Sequence, residues 1–229
     1  MELNTKINNY KFRASSIGNI MINNKQNTGM GETAFNYLKD IHKEIKWNVK
    51  KDIKSKYITK GLEVEPISIA FYCVNSNDFL IKNEERRSND YVTGEPDLLT
   101  EDTVIDIKSS WNAFTIPHKT DKINKMYFYQ LQTYMWLFDK HNAKLAYILI
   151  NTPSKLVQDE KRKLAWEMGL IDDIDEDYIK ACEEIDRSHN FDHIPVNERI
   201  VEFDIKRDDK VIEQIQSRVI EARKYLMTL

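Results

Sequence analysis

The chain has 229 residues and a net charge of −3, and 41% of its residues are hydrophobic and 31% charged. With few Gly and Pro, this composition predicts a folded, helix-rich protein with a sheet and excludes a disordered or low-complexity chain. No apolar run approaches the ~20 residues that span a bilayer, and the first residues lack the apolar segment of a signal peptide, so we expect a cytoplasmic protein without a membrane partner.

Hydrophobic periodicity predicts three helices in the N-terminal part of the chain, at residues 13–24, 31–49 and 57–74. Ser15 or Ser16 is the expected N-cap of the first helix. Pro66, inside the third, falls near a helix start or produces a kink, because proline lacks the backbone N–H that a helix interior needs.

Lysines cluster twice along the chain. One run extends from Lys43 to Lys60, and a second cluster comprises Lys119, Lys122 and Lys125. Such runs are usually solvated faces, and we interpret both in that way. Whether they converge into a basic groove stays open, and the chain lacks the overall basic excess that many nucleic-acid-binding proteins show.

Short strands separated by turns are predicted next, at residues 79–81, 91–92, 97–99 and 103–109. An aromatic-rich helix at 125–139 follows, and then a near-continuous apolar strand at 145–150, which is typical of a strand buried on both faces. The remaining elements are two polar helices, a strand and a final helix, at residues 157–170, 177–187, 199–205 and 209–226. This order predicts a mixed α/β fold in a single domain.

The most informative motif is Gly94-Glu95-Pro96-Asp97, followed by Asp106-Ile107-Lys108. On a strand with a period of two, Asp106 and Lys108 point to the same face, and Asp97 reaches that face if the intervening residues form a hairpin. Two carboxylates there offer hard oxygen ligands to Mg²⁺, and the ammonium of Lys108 suits a nucleophilic water or the charge that develops on a phosphate.

The Asp-Ile-Lys triplet occurs three times, so its context must identify the relevant copy. Residues 52–54 lie in a charged run, and residues 204–206 lie on a strand without a preceding Pro-Asp turn. We assign both of these copies to the surface. Only the copy at 106–108 follows such a turn.

Two further elements flank this copy. Glu65 lies in Gly61-Leu62-Glu63-Val64-Glu65-Pro66 on the helix before the strands, and Gln130 and Tyr134 lie four residues apart on the helix after them. The spacing of four places Gln130 and Tyr134 on one helix face. A buried Gln there can form a hydrogen bond with Lys108 or with a DNA phosphate.

In this order, these residues resemble the PD-(D/E)XK nuclease superfamily, and within it the phage-type exonucleases of the lambda-exonuclease (YqaJ-like, RecB-like) type. The resemblance implies a restriction-endonuclease-like core at about 57–153, in which helices flank a central mixed β-sheet made of a β-meander and a buried strand. Helices at 13–49 would precede the core, and a C-terminal elaboration at 154–229, with an acidic stretch at 172–186, would follow it in the same domain, 1–229.

The resemblance also implies the chemistry of the site. Asp97, Asp106, Glu65 and the carbonyl of Ile107 would bind Mg²⁺ or Mn²⁺, with two ions expected. Lys108 would position or activate the attacking water, and Gln130 would complete the catalytic set. A metal-dependent DNA exonuclease is therefore the leading hypothesis.

The expected DNA contacts come from the same resemblance. Arg13 and Ser15 match the start of the helix that binds a terminal 5′-phosphate in the family, and Tyr134 would lie beside the DNA. The family also implies 5′→3′ digestion of duplex DNA ends, a homotrimer, and a phage recombination role with a single-strand annealing protein in a bacterial or phage-infected cell.

Other hypotheses stay open on the sequence alone. The same site could serve a sequence- or structure-specific endonuclease, or persist in a catalytically inactive DNA-binding module. An iron–sulfur RecB-like nuclease is disfavoured, because Cys73 and Cys182 are too few to ligate the cluster. A zinc hydrolase has little support, because His189 and His193 lack the Glu of an HExxH helix and lie in a predicted surface loop.

Overall fold

The computed structural model of the chain describes residues 2–53, 55–76, 80–170 and 175–229. The helices in these residues are α1 (Glu2–Asn8), α2 (Ala14–Ile20), α3 (Glu32–Trp47), α4 (Lys56–Asn75), α5 (Lys125–Phe138), α6 (Ser154–Glu167), α7 (Glu176–His189) and α8 (Asp209–Leu226). The strands are β1 (Phe12–Arg13), β2 (Arg87–Ser88), β3 (Val92–Gly94), β4 (Leu98–Leu99), β5 (Thr103–Ser109), β6 (Asn142–Ile148) and β7 (Ile200–Lys206). A short 3₁₀ turn, Val196–Glu198, precedes β7.

A four-stranded mixed sheet of order β4-β5-β6-β7 forms the centre of the fold. β5 and β6 are parallel, and the outer pairs, β4 with β5 and β6 with β7, are antiparallel. A parallel pair needs a crossover, and α5 supplies it between β5 and β6. The predicted mixed α/β fold with helices around a mixed sheet is confirmed.

Two helices cover the two faces of this sheet. Leu145 of β6 packs with α5 residues on one face, and its neighbour Ala146 packs with α4 residues on the other. Both are fully buried, so β6 is buried on both faces, as its apolar sequence predicts. The same alternation in β5 turns Val104 towards α5 and Ile105 towards α4.

A third apolar cluster joins the N-terminal helices α2 and α3 to α8 and to the small sheet of order β1-β3-β2. Gly18 lets α2 approach α5 closely, because a Cβ at this position would lie 2.9 Å from the Cα of Met126 and 2.7 Å from its sulfur. No helix in the described residues is long and apolar enough to cross a membrane.

The strands before β5 differ from the predicted meander. β3 pairs with β1 and β2 in the small sheet, so only β4 forms a hairpin with β5. In the strand predicted at 79–81, Phe79 lies outside the described residues, and Leu80 and Ile81 adopt no strand. Lys82 instead forms an isolated bridge with Leu98. These pairings depend on distant partners, which local alternation does not reveal.

The helix boundaries also need correction. α2 begins at Ala14 with Arg13 as its N-cap, so Ser15 and Ser16 lie in the first turn, because extended β1 leads directly into the helix. α4 continues through Pro66. His189, predicted in a surface loop, is buried at the end of α7 and forms a hydrogen bond with Thr152.

Two glycine substitutions test the close packing of α2 and α5. We expect Gly18→Ala to lower the free energy of unfolding by about 1–2 kcal/mol, because the contact with the Met126 backbone outweighs the gain in helix propensity. Gly61→Ala in α4 is the matched control, since nothing lies within 4 Å of its new Cβ, and it should add up to ~1 kcal/mol. Urea denaturation measures both, and equal shifts for the two variants would contradict the packing argument.

Candidate active site

β5 brings Asp106 and Lys108 together on the face that α5 covers. Lys108 Nζ lies 2.7 Å from Asp106 Oδ2, and Asp106 is only 2% exposed. Burial alone would lower the pKa of Lys108, but the charges of Asp106 and Asp97 outweigh that effect and raise it. The ammonium is therefore firmly protonated beside its carboxylate.

The β4–β5 hairpin places Asp97 next to this pair. Leu98 pairs with Ile105, and the preceding Asp97 accepts a hydrogen bond of 2.6 Å through Oδ2 from the backbone N–H of Ile107. Burial and the negative charge of Asp106 raise the pKa of Asp97 to about 7, although the Ile107 N–H and Lys108 act in the opposite direction. Two carboxylates, one buried and one partly buried, thus repel each other at this site.

α5 fixes the other oxygen of Asp106. Gln130 Nε2 lies 2.9 Å from Asp106 Oδ1 and 3.0 Å from the hydroxyl of Tyr134, and all three side chains are buried. The sequence predicts that Gln130 bonds Lys108 or a DNA phosphate, and in the structure its amide donates to Asp106 instead of to Lys108. Lys108 itself rests 5.0 Å from the ring centre of Tyr127, a favourable position for a cation.

Glu65 approaches from α4, and its carboxylate forms an ion pair with Lys82, with 3.0 Å between Nζ and Oε1. The charge of Glu65 contributes to the raised pKa of Asp97, and Asp97 in turn contributes to the raised pKa of Lys82, after the larger effect of Glu65. Lys82 therefore belongs to the electrostatics of the site. Sequence reasoning missed it because only its bridge to Leu98 places it there.

The start of α2 lies beside the Gln130–Tyr134 arm. Ala14 packs in the same cluster as Tyr134, and Gly94 allows this approach, because a Cβ there would lie 2.8 Å from the Tyr134 ring and 3.0 Å from the Ala14 methyl. Arg13 and Ser15, on either side of Ala14, are exposed. They are accessible to an anion and lie outside the buried carboxylate cluster.

The donor set suits a hard divalent cation. Asp106 Oδ2 is buried and, despite its short distance to Lys108, accepts no hydrogen bond of normal geometry. With Asp97 and the Ile107 carbonyl it offers the oxygen ligands that Mg²⁺ prefers, and this ion commonly uses one or two carboxylates and keeps its waters. In the described ranges no three acidic, His or Cys side chains form a preassembled metal-binding group, and Glu65 is held by Lys82.

Comparison with solved structures gives several similar folds. A phage-related exonuclease from Haemophilus somnus 129PT has a TM-score of 0.75 and 28% identity, covering 95% of this chain and 94% of that one. An alkaline exonuclease from Laribacter hongkongensis, LHK-Exo, has a TM-score of 0.63 and 17% identity, covering 100% of this chain and 93% of that one. Its complex with dAMP has a TM-score of 0.60 and 16% identity, with coverages of 99% and 91%.

No protein-family model and no curated protein matches the sequence. The two Laribacter structures, at 17% and 16% identity, show a likeness of fold alone. The Haemophilus structure is more similar to this chain in sequence, at 28% identity. The predicted resemblance to the phage-type exonucleases of the PD-(D/E)XK superfamily is confirmed.

The raised pKa of Asp97 makes metal binding depend on pH. Below a pH of about 7 a cation must displace the proton of Asp97, so we expect Mn²⁺ to bind more tightly at pH 8 than at pH 6, by up to ~10-fold per pH unit. Because this folded-state pKa lies above the ordinary value of 3.8, the contribution of Asp97 to the stability of the metal-free protein is present below pH 3.8 and is lost as the pH rises to about 7.

Calorimetry at pH 6 in two buffers of different ionisation enthalpy counts the protons that Mn²⁺ releases. Asp204→Asn, at an exposed aspartate of β7, is the matched control and should leave the pH dependence unchanged. An affinity that stays constant from pH 6 to pH 8 would show that Asp97 ionises below this range.

Proposed function

We propose that this chain, which has the fold of the phage-related exonucleases, is a metal-dependent DNA exonuclease that hydrolyses phosphodiester bonds from the ends of duplex DNA. The observation that carries the proposal is the cluster of buried Asp106 with partly buried Asp97 and Lys108, in which two carboxylates repel each other and the ammonium of Lys108 contacts Asp106. Buried like charges destabilise a fold, and they are characteristic of sites that bind cations or transfer protons.

Asp97, Asp106 and the Ile107 carbonyl would hold Mg²⁺ or Mn²⁺, and Glu65 would join them after release from Lys82, with two ions expected. A bound divalent cation lowers the pKa of a water and stabilises negative charge on the phosphate. Despite the burial of Lys108, the charges of Asp106 and Asp97 raise its pKa. Its ammonium would therefore donate hydrogen bonds that orient the attacking water and stabilise the developing charge.

Gln130 orients Asp106 by donating a hydrogen bond to the oxygen that Lys108 does not contact. The hydroxyl of Tyr134 accepts from the same amide and so fixes the amide plane. A carboxylate held from both sides presents its remaining lone pairs in one direction, which is what a metal ligand requires.

The DNA contacts follow from the start of α2. Exposed Arg13 and Ser15 would receive the terminal 5′-phosphate. Tyr134, expected beside the DNA, is buried and hydrogen-bonded to Gln130, so it supports the carboxylate site instead. LHK-Exo has been solved with dAMP, which supports a nucleotide as the ligand of this fold. We extend the proposal to 5′→3′ digestion by a homotrimer in the cytoplasm, in phage-type recombination with a single-strand annealing protein.

Substitutions at the cluster test the chemistry. Lys108→Ala and Asp106→Asn are each expected to lower the rate of Mg²⁺-dependent degradation of linear duplex by at least ~10²-fold, because each removes a charge from the reacting centre. The third Asp-Ile-Lys copy provides matched controls, since Asp204 and Lys206 are exposed: Asp204→Asn and Lys206→Ala should retain nearly full activity. Equal losses in both pairs, or a wild-type protein without activity, would refute the assignment.

Labelled substrates test direction and end dependence. With 5′-phosphorylated linear duplex we expect the 5′ label to be released first, with no cleavage of a covalently closed circle. Nicking of the circle would instead identify an endonuclease. Ser15→Ala is expected to weaken the preference for a 5′-phosphate over a 5′-hydroxyl by about 10-fold, the effect of one lost hydrogen bond to a charged group; an unchanged preference would exclude Ser15 from phosphate binding.

A further inference from the structure

Lys60 occupies an unusual environment for a lysine. It lies in the run interpreted above as a solvated face, yet its side chain is fully buried in α4. Its Nζ lies 2.8 Å from the carbonyl oxygen of Ser110 and 2.8 Å from that of Trp111. These two residues directly follow β5, the strand that carries Lys108.

Burial of this ammonium is energetically unfavourable. Loss of hydration lowers the pKa of Lys60 to about 7, and none of the ion pairs in the described residues involves it. The rings of Trp111 and Phe191, whose centres lie 5.8 Å and 5.4 Å from Nζ, offset part of the loss. An apolar side chain would fill this space without the cost of desolvating a charge. What a lysine adds here is the pair of hydrogen bonds to the two carbonyl groups.

These contacts join two elements of the active site. α4 carries Glu65 one and a half turns after Lys60, and β5 ends beside the two carbonyls. A second link, 2.8 Å between the hydroxyls of Ser68 and Ser109, fixes the same helix to the last residue of the strand. Without the Lys60 bonds, the carbonyl of Ser110 would lose its partner, and that of Trp111 would keep only the 3.5 Å hydrogen bond from the hydroxyl of Thr152.

We propose that Lys60 is a positioning residue for this active site: its ammonium clamps the backbone that follows Lys108 against α4 and so sets the distance between Glu65 and the Asp106–Lys108 pair. The proposal rests on the proposed nuclease function. It assigns to a residue outside the carboxylate cluster a role in the geometry of catalysis, and Lys60 itself need not touch DNA.

The test compares two lysines one turn apart. Lys60→Met keeps the apolar stem and removes the donors. Lys56→Met is the control, because Lys56 lies 4.8 Å from the same Trp111 ring but pairs with Glu160 and holds no carbonyl of this segment. We expect Lys60→Met to lower kcat by ~10–100-fold with an unchanged KM for DNA, the effect of a displaced supporting group, whereas Lys56→Met changes neither by more than ~2-fold.

Mn²⁺ affinity, measured by calorimetry without DNA, gives a readout that does not depend on activity. Lys60→Met should weaken it by ~10-fold or more, because Glu65 loses its position relative to Asp106. If wild type binds Mn²⁺ but degrades no DNA, the nuclease function fails while the clamp can still be judged from this affinity. If kcat and Mn²⁺ affinity both remain at the wild-type level in Lys60→Met, the proposal is overturned.

A second variant keeps the test possible if Lys60→Met does not fold. If Lys60→Met does not give a cooperative melt, Lys60→Gln is used, since its amide still donates to one carbonyl, and an intermediate loss of ~3–10-fold in kcat is expected at constant KM. Ser68→Ala removes the second link, and combined with Lys60→Gln it should lower kcat by more than the product of the single effects. A loss in Lys60→Gln that appears in KM alone would contradict the clamp.

Discussion

The electrostatic repulsion between partly buried Asp97 and buried Asp106 is the interaction on which the rest of the active site depends. Burial and the charge of Asp106 raise the pKa of Asp97. The surrounding donors act in the opposite direction: Lys108 and Gln130 contact Asp106, and the Ile107 N–H contacts Asp97. A protein gains no stability from such an arrangement compared with an apolar core. Such an arrangement is understandable if a bound cation neutralises the two carboxylates.

β5 organises this cluster because it touches every contributing element. Its α5 face carries Asp106 and Lys108, and its α4 face packs on the helix that carries Glu65. Its antiparallel neighbour β4 delivers Asp97, and the crossover to its parallel neighbour β6 delivers Gln130. Strand alternation therefore places Lys108 beside Asp106, and the spacing of four in α5 places Gln130 and Tyr134 beside the same carboxylate.

Local periodicity explains what the sequence predicted well. The bounds of β5 and α8 are correct to the residue, and the pairing of Asp106 with Lys108 follows from strand alternation alone. The errors involve distant partners: β1 and β2 form only because β3 lies between them, and Lys82 reaches the site through a bridge to Leu98. Burial of Lys60 depends on carbonyls fifty residues away, which no pattern within its own helix encodes.

The net charge of the chain also says little about how individual lysines are used in the fold. A net charge of −3 gives no sign of a nucleic-acid partner, yet the lysines nearest the site are engaged internally: Lys108 and Lys82 by carboxylates, Lys60 by carbonyls. These lysines pair with acceptors of the protein itself, so in the proposed nuclease they would contribute little to the long-range attraction of DNA. In the proposed nuclease, attraction of the phosphate backbone would come from exposed cations such as Lys119 and Lys122, between β5 and α5, and Lys125 at the start of α5. The net charge of the whole chain therefore predicts neither the active site nor the surface that would attract DNA.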